Sequence, residues 1–201
     1  MRVLEERKFF NMISAFEYVT VLISIVLGLG ITQILTGIAN LFHKMERVKL
    51  YWPHVLWVGF VLVLHIQDWW LTYELKSYIP WHLGSFLFIM LYPINLFILA
   101  RMLFPSSLRG KVIDLRQFYM ENYKKIFSLF VISAILSIIY NIFILHLSPL
   151  TQALQALLII VFSTVAYRGY QQEWIHRTLI VGVTLIFAIV VVIEWDDWLI
   201  R

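Results

Sequence analysis

The chain has no cysteine, which excludes disulfides, zinc–thiolate centres, iron–sulfur ligation and a thiol nucleophile. Charge is scarce as well. Asp, Glu, Lys and Arg make up 14% of the 201 residues, against about a quarter in an ordinary soluble domain. No lysine lies deep in an apolar run, so the buried amine that a retinal Schiff base needs is missing. The patterns HExxH, GxSxG, GxGxxG and the P-loop do not occur, and with them go the best-marked hydrolase and nucleotide sites. There is no nucleic-acid motif and no stretch that could fold as a separate nucleic-acid domain. Nothing in the chain gives positive support to an enzyme.

What is abundant is apolar surface. The chain is 61% hydrophobic and 16% aromatic, with a mean hydropathy of +0.83. One globular core of this size could not hide that much, so lipid is the expected solvent. A membrane-spanning helix needs about 20 apolar residues at a rise of about 1.5 Å each. Six stretches qualify, over residues 14–42, 52–75, 81–103, 123–147, 150–167 and 175–200. The expected fold is all-α: a polytopic integral membrane protein forming one six-helix transmembrane domain. The opening apolar run is too long for a cleaved signal peptide and lacks an A-x-A-like site, so it reads as a retained first helix. Met1 and Met12 are both candidate starts.

The net charge is +4, and its distribution reports topology. Lys44, Arg47 and Lys49 lie in the first loop, Arg109, Lys111, Arg116, Lys124 and Lys125 in the third, and Arg168 and Arg177 in the fifth. By the positive-inside rule these loops are cytoplasmic and both termini lie outside, in a plasma or inner membrane. Trp52, Tyr51, Trp174 and Tyr170 at one end, with Trp69, Trp70, Trp81, Trp195 and Trp198 at the other, read as interfacial belts. From about Asp114 the third loop reads as a short amphipathic helix lying on the cytoplasmic interface, held by anionic headgroups. "WPHVLWVG" and "WIHRTLIVG", followed by "QDWW" and "DDWL", hint faintly at a duplicated hairpin.

Two features carry functional weight. In the first span every fourth residue is small or polar: Thr20, Ser24, Gly28, Thr32, Thr36, Asn40. Such a row shares one helix face and suits either close helix packing or the wall of a wet path. Gly30 and Gly37 add a second small face beside Gln33, and Ser133, Ser137 and Asn141 repeat the pattern in the fourth span. The second feature is a set of acids. Glu17, Asp68 and Glu194 come from three helices at a similar depth near the outer end. Intramembrane acids face the protein interior or water, and no Lys or Arg lies deep enough to neutralise them. Lys76 and His82 stand only at the outer edge. His65 shares a helix face with Asp68 and Thr72 and is the expected neighbour of Asp68.

The leading expectation is therefore a small oligomeric channel or channel-like transporter for protons or monovalent cations. Glu17, Asp68, Glu194 and His65 would form its outer site, and the first-span row would continue the path inward. The alternative is a non-catalytic scaffold, sensor or effector subunit acting through helix contacts with a membrane or cytoplasmic protein partner, most simply as a homo-oligomer. A weaker alternative is a haem electron carrier. It would need paired histidines at one depth, for which His82 with His146, or His43, His54 and His176, are available. No other cofactor or metal is expected.

Overall fold

The computed structural model describes residues 14–105 and 112–193. Among them are six long helices: α1 (Ala15–Phe42), α2 (Trp52–Leu71), α3 (Leu83–Met102), α4 (Leu115–Phe143), α5 (Ala153–Arg168) and α6 (Glu173–Ile193). Single-turn 3₁₀ segments precede α2, at Met45–Arg47, and α5, at Pro149–Gln152, and a longer one at Thr72–Ser77 extends α2. The six helices, α2 and α5 taken with their 3₁₀ extensions, are long and apolar enough to cross a membrane.

The helix ends follow from local chemistry. Ser14 and Glu17 form a reciprocal capping box: the Glu17 amide donates to Ser14 Oγ at 3.1 Å, and the Ser14 amide donates to Glu17 Oε2 at 2.7 Å. Two of the four unpaired amides of a helix start are thereby satisfied. Pro53 opens α2, where its missing N–H costs nothing. The Asp114 carboxylate accepts from the amides of Arg116 and Gln117, each at 3.0 Å, and starts α4. Gly169 ends α5 in the left-handed region at φ 67°, a conformation that glycine adopts without a Cβ penalty.

That Asp114 cap corrects one expectation. The segment after it is helical but is not a separate interfacial helix; it is the first third of α4. Leu115, Tyr119, Tyr123 and Ile126 are all buried, so their stripe packs on protein rather than on headgroups. The third loop is also tied to the first: β1 (Val48–Lys49) and β2 (Ile113–Asp114) pair in parallel, Val48 against Ile113. Pro93 lies inside α3, which continues through it to Met102.

Packing is led by α1 against α3 and by α4 against α5, with α3 on α4, α2 on α1 and α3, and α6 on α2. The buried face of α1 is Val19, Ile23, Leu27, Gly30, Ile34 and Gly37, spaced by fours and threes as one stripe of a helix requires. Two glycines in that stripe bring neighbours in close. A Cβ on Gly30 would overlap His65 Nε2 and lie 2.6 Å from Cδ2, and one on Gly37 would lie 2.5 Å from the Phe104 ring. The outward faces are mostly apolar, with Leu22, Ile25 and Leu35 on α1, Leu157 and Ile160 on α5, and Leu185 and Ile189 on α6 all exposed. A bundle in water would bury such faces; a bundle in lipid leaves them out.

Candidate functional site

Asp68 lies in the last turn of α2. Its Oδ2 is buried and has no hydrogen-bond partner. Tyr92 on α3 and Tyr140 on α4 stand toward the same end of the bundle, counted by helical rise from the bonded pair Asn95 and Ser133. No ion pair reaches it among the described residues, where Glu173 holds both acidic positions in the salt bridges. Lys76, the nearest cation in sequence, is engaged by Tyr73, donating to its hydroxyl at 3.1 Å and sitting over its ring.

The other members of the expected outer site are distributed differently. His65 is fully buried, but it faces α1: its Nδ1 donates to the Val61 carbonyl at 2.7 Å, and Nε2 rests against Gly30 without a partner. It makes no hydrogen bond or ion pair with Asp68. Two residues on one helical stripe need not share a neighbour when two different helices pack on that stripe. Glu17 is exposed and spends its carboxylate on the capping box. Phe16 packs edge-on against Tyr73 at 6.4 Å, so Glu17 does stand at about the level of the α2 end, yet outside the bundle. Glu194, like Asp196 and Asp197, lies outside the described residues.

The first-span row has a plain outcome. Thr20 and Ser24 are half-buried, and Gly28, Thr32, Thr36 and Asn40 are exposed. Nothing lies within 4 Å of a Cβ on Gly28. Thr20 and Thr32 donate one turn back, to the Phe16 and Gly28 carbonyls, both at 2.8 Å, the usual self-satisfaction of a helical hydroxyl. Within the subunit the row is neither an enclosed wall nor a packing seam; the seam is the Gly30–Gly37 face. The corresponding row of α4 is a seam. Ser133 Oγ accepts from Asn95 Nδ2 at 2.7 Å, Ser137 Oγ from Gln155 Nε2 at 3.2 Å, and Asn141 Nδ2 donates to Gln152 Oε1 at 2.8 Å.

At the end of the bundle that carries the basic first, third and fifth loops, the structure adds a cluster that sequence reasoning passed over. Trp57 Nε1 donates to Tyr119 Oη at 3.2 Å. Tyr119 Oη bonds His176 Nδ1 at 3.0 Å, and His176 Nε2 bonds the Tyr170 carbonyl at 2.9 Å. The carbonyl only accepts, so His176 carries its proton on Nε2 and accepts the hydrogen bond of the Tyr119 hydroxyl at Nδ1. His54 lies against the Tyr119 and Phe118 rings, fully buried, and neither of its ring nitrogens meets hydrogen-bond geometry. The Tyr51 and Tyr123 hydroxyls are buried without partners beside it. Tyr51 is thus a core residue rather than part of an interfacial belt, and burial, with the Glu173 charge adding to it, raises its phenol above the usual value. Both nitrogens of His176 are engaged in protein hydrogen bonds, and the Tyr119 ring lies against both His54 and His176. His82 and His146 are exposed. The signal that could have found this cluster was the three-residue spacing of Tyr51, His54 and Trp57 at the start of α2 set against the four-residue spacing of Tyr119 and Tyr123 on α4.

Along the bundle interior these groups fall in three tiers. Asp68, Tyr92 and Tyr140 are at one end. Asn95 and Ser133 come next, with Asn95 also donating to the Leu129 carbonyl at 3.0 Å. The Trp57–Tyr119–His176 chain is at the other end. By helical rise Asp68 and Trp57 are about 16 Å apart along α2. The aromatic rings of Trp57, Phe127, Phe130 and Phe162, with centroids 4.9–5.9 Å apart, fill the space between the second and third tiers. Among the described residues no group of three His, Asp or Glu side chains is placed to hold a metal ion. Set against known protein families, curated proteins and solved structures, the chain matches none.

Proposed function

We propose that this chain is an integral, multi-pass membrane protein that moves protons or monovalent cations, with Asp68 as the group that exchanges them. The observation that carries this reading is the buried, unpartnered Oδ2 of Asp68. Asp68 is half-buried; with one carboxylate oxygen enclosed and no cationic partner its charged form is disfavoured, by less than the roughly 2.5–3.5 kcal/mol that applies at the centre of a spanning helix. Such a group either carries a proton or awaits a cation. The tiers of Asn95–Ser133 and Tyr119–His176 beneath it supply hydrogen-bonding groups on the way to the basic end, and the ring cluster closes the way at rest. In this reading the basic loops face the cytoplasm of a plasma or inner membrane and the termini lie outside.

The test is proton and K⁺ flux into liposomes. Asp68→Asn keeps the shape and removes the exchangeable charge, so flux falls to the level of empty vesicles while the protein still purifies as a folded species. Wild-type flux from Asp68→Asn refutes the mechanism. A second reading, a scaffold or effector subunit that assembles through helix contacts, is favoured by the exposed row from Gly28 to Asn40. In that case Ser24→Leu with Gly28→Leu dissolves the assembly and there is no flux to lose.

A further inference from the structure

The row on α1 leaves its basic-end members without a role, and their surroundings suggest one. Where α1 and α3 both end, a narrow crevice of about 50 Å³ is lined by Gln33, Thr36, Asn40 and Arg101 around an apolar floor that includes Gly37 and Phe104. Gly37 shapes it: without a Cβ there, Phe104 lies directly on the α1 backbone, and the crevice opens beside this contact. Arg101 is exposed in the last turn of α3. Among the described residues it forms neither a salt bridge nor a hydrogen bond. The side chains of Gln33, Thr36 and Asn40 likewise have no internal partner. A guanidinium, two carboxamides and a hydroxyl therefore converge with their donors unused, at the depth where apolar helix gives way to loop. Lys44, Arg47 and Lys49 follow in the adjoining loop.

We infer that this crevice binds the phosphate of an anionic phospholipid headgroup. A guanidinium matches phosphate oxygens in a planar fork, the amides and hydroxyl add neutral donors, and the exposed apolar flanks of α1 and α3 give the acyl chains a continuous surface. Its position where apolar helix gives way to loop, with a volume of only about 50 Å³, favours a lipid phosphate over a larger soluble anion. It also gives a role to Asn40, the carboxamide that ends the α1 row, and to Gln33 beside it. The site is independent of Asp68, which lies at the opposite end of the bundle.

The experiment is native mass spectrometry of the full chain released from nanodiscs of equal phosphatidylglycerol and phosphatidylcholine. Wild type is expected to retain phosphatidylglycerol preferentially. Arg101→Gln lowers that preference about five- to tenfold, and Asn40→Leu lowers it less. Arg177→Gln, a basic residue at the same end but outside the crevice, leaves it unchanged. Two further results would overturn the inference: equal retention by wild type and Arg101→Gln, or displacement of the lipid by millimolar inorganic phosphate, which would make the crevice a free-anion site. Among the described residues Arg101 has no hydrogen bond or salt bridge to lose, and an unchanged melting temperature checks that the variant is folded.

Discussion

Gly28 and Gly30 lie two residues apart on α1, and the structure assigns them opposite tolerances. A methyl group at Gly28 meets nothing within 4 Å, whereas one at Gly30 overlaps the His65 ring. That ring cannot simply swing away, because Nδ1 is held on the Val61 carbonyl at 2.7 Å and the residue is fully enclosed. Replacing either glycine with alanine gains roughly the same helix propensity, up to about 1 kcal/mol, so the difference between the two variants isolates the clash. Forcing one methyl into a well-packed contact costs about 1–3 kcal/mol. Gly28→Ala is therefore expected to be neutral or slightly stabilising, with Gly30→Ala lying about 1–3 kcal/mol below it. For a chain of this size that gap corresponds to roughly 2–12 °C in melting temperature. Thermal unfolding in detergent, followed by tryptophan fluorescence, reads the gap directly. Equal stabilities, or a Gly28 variant less stable than the Gly30 one in dilute monomer, would refute the placement of α1 against α2.

Two further outcomes follow from the same contacts. Tyr119→Phe removes the hydroxyl that serves both Trp57 and His176 and leaves two buried polar groups unsatisfied, so stability drops by about 1–3 kcal/mol in the same unfolding assay, while Tyr123→Phe, whose hydroxyl has no partner, costs little. Glu17→Gln leaves flux unchanged in the liposome assay, because its carboxylate serves the α1 cap on the outside of the bundle; loss of flux in this variant would return Glu17 to the transport site.

The architecture was readable because hydropathy is a long-range average. Twenty apolar residues in a row have few alternatives to a helix of spanning length, and caps such as Ser14 with Glu17 mark the ends. The orientation of each helix about its own axis was much less readable. In a soluble helix the polar face points out, so one stripe identifies the other. Here Leu22 and Ile25 are exposed while Gly30 and His65 are buried, and apolar character no longer tells inside from outside. That is why the Thr20–Asn40 row looked like an interior face. The α4 row was read correctly for the same residue types because partners of matching length, Asn95, Gln152 and Gln155, stand opposite it. The depth of Asp68 followed from counting helical rise, but its isolation from His65 depended on His65 turning to Gly30 of α1 and to the Val61 carbonyl, which spacing alone does not carry. Glu17 illustrates a different ambiguity: an acid one turn inside a span is also an acid at N3 of a capping box, and the local bond wins because it needs no tertiary partner.

These orientations separate two ideas that had been joined. A path beginning at Asp68 was expected to continue along the α1 row. But Asp68 stands toward the end of the bundle where Tyr92 and Tyr140 lie, whereas its stripe-mate His65 meets α1 at Gly30. The row lies beyond that contact, on the outside. On the proposed reading, a path from Asp68 toward the basic end runs by Asn95 and Ser133 and the rings of Phe127 and Phe130, not by Thr32 or Thr36, which are exposed. Exchange at Asp68 and assembly through the row are separable on that reading. Each can be removed without the other: Asp68→Asn acts on flux within one subunit, and leucine at Gly28 acts on contacts between subunits. If the row variants abolished flux while each subunit stayed folded, the conducting unit would have to be the oligomer, and the interior tiers would then be structural ties between α2, α3, α4 and α6.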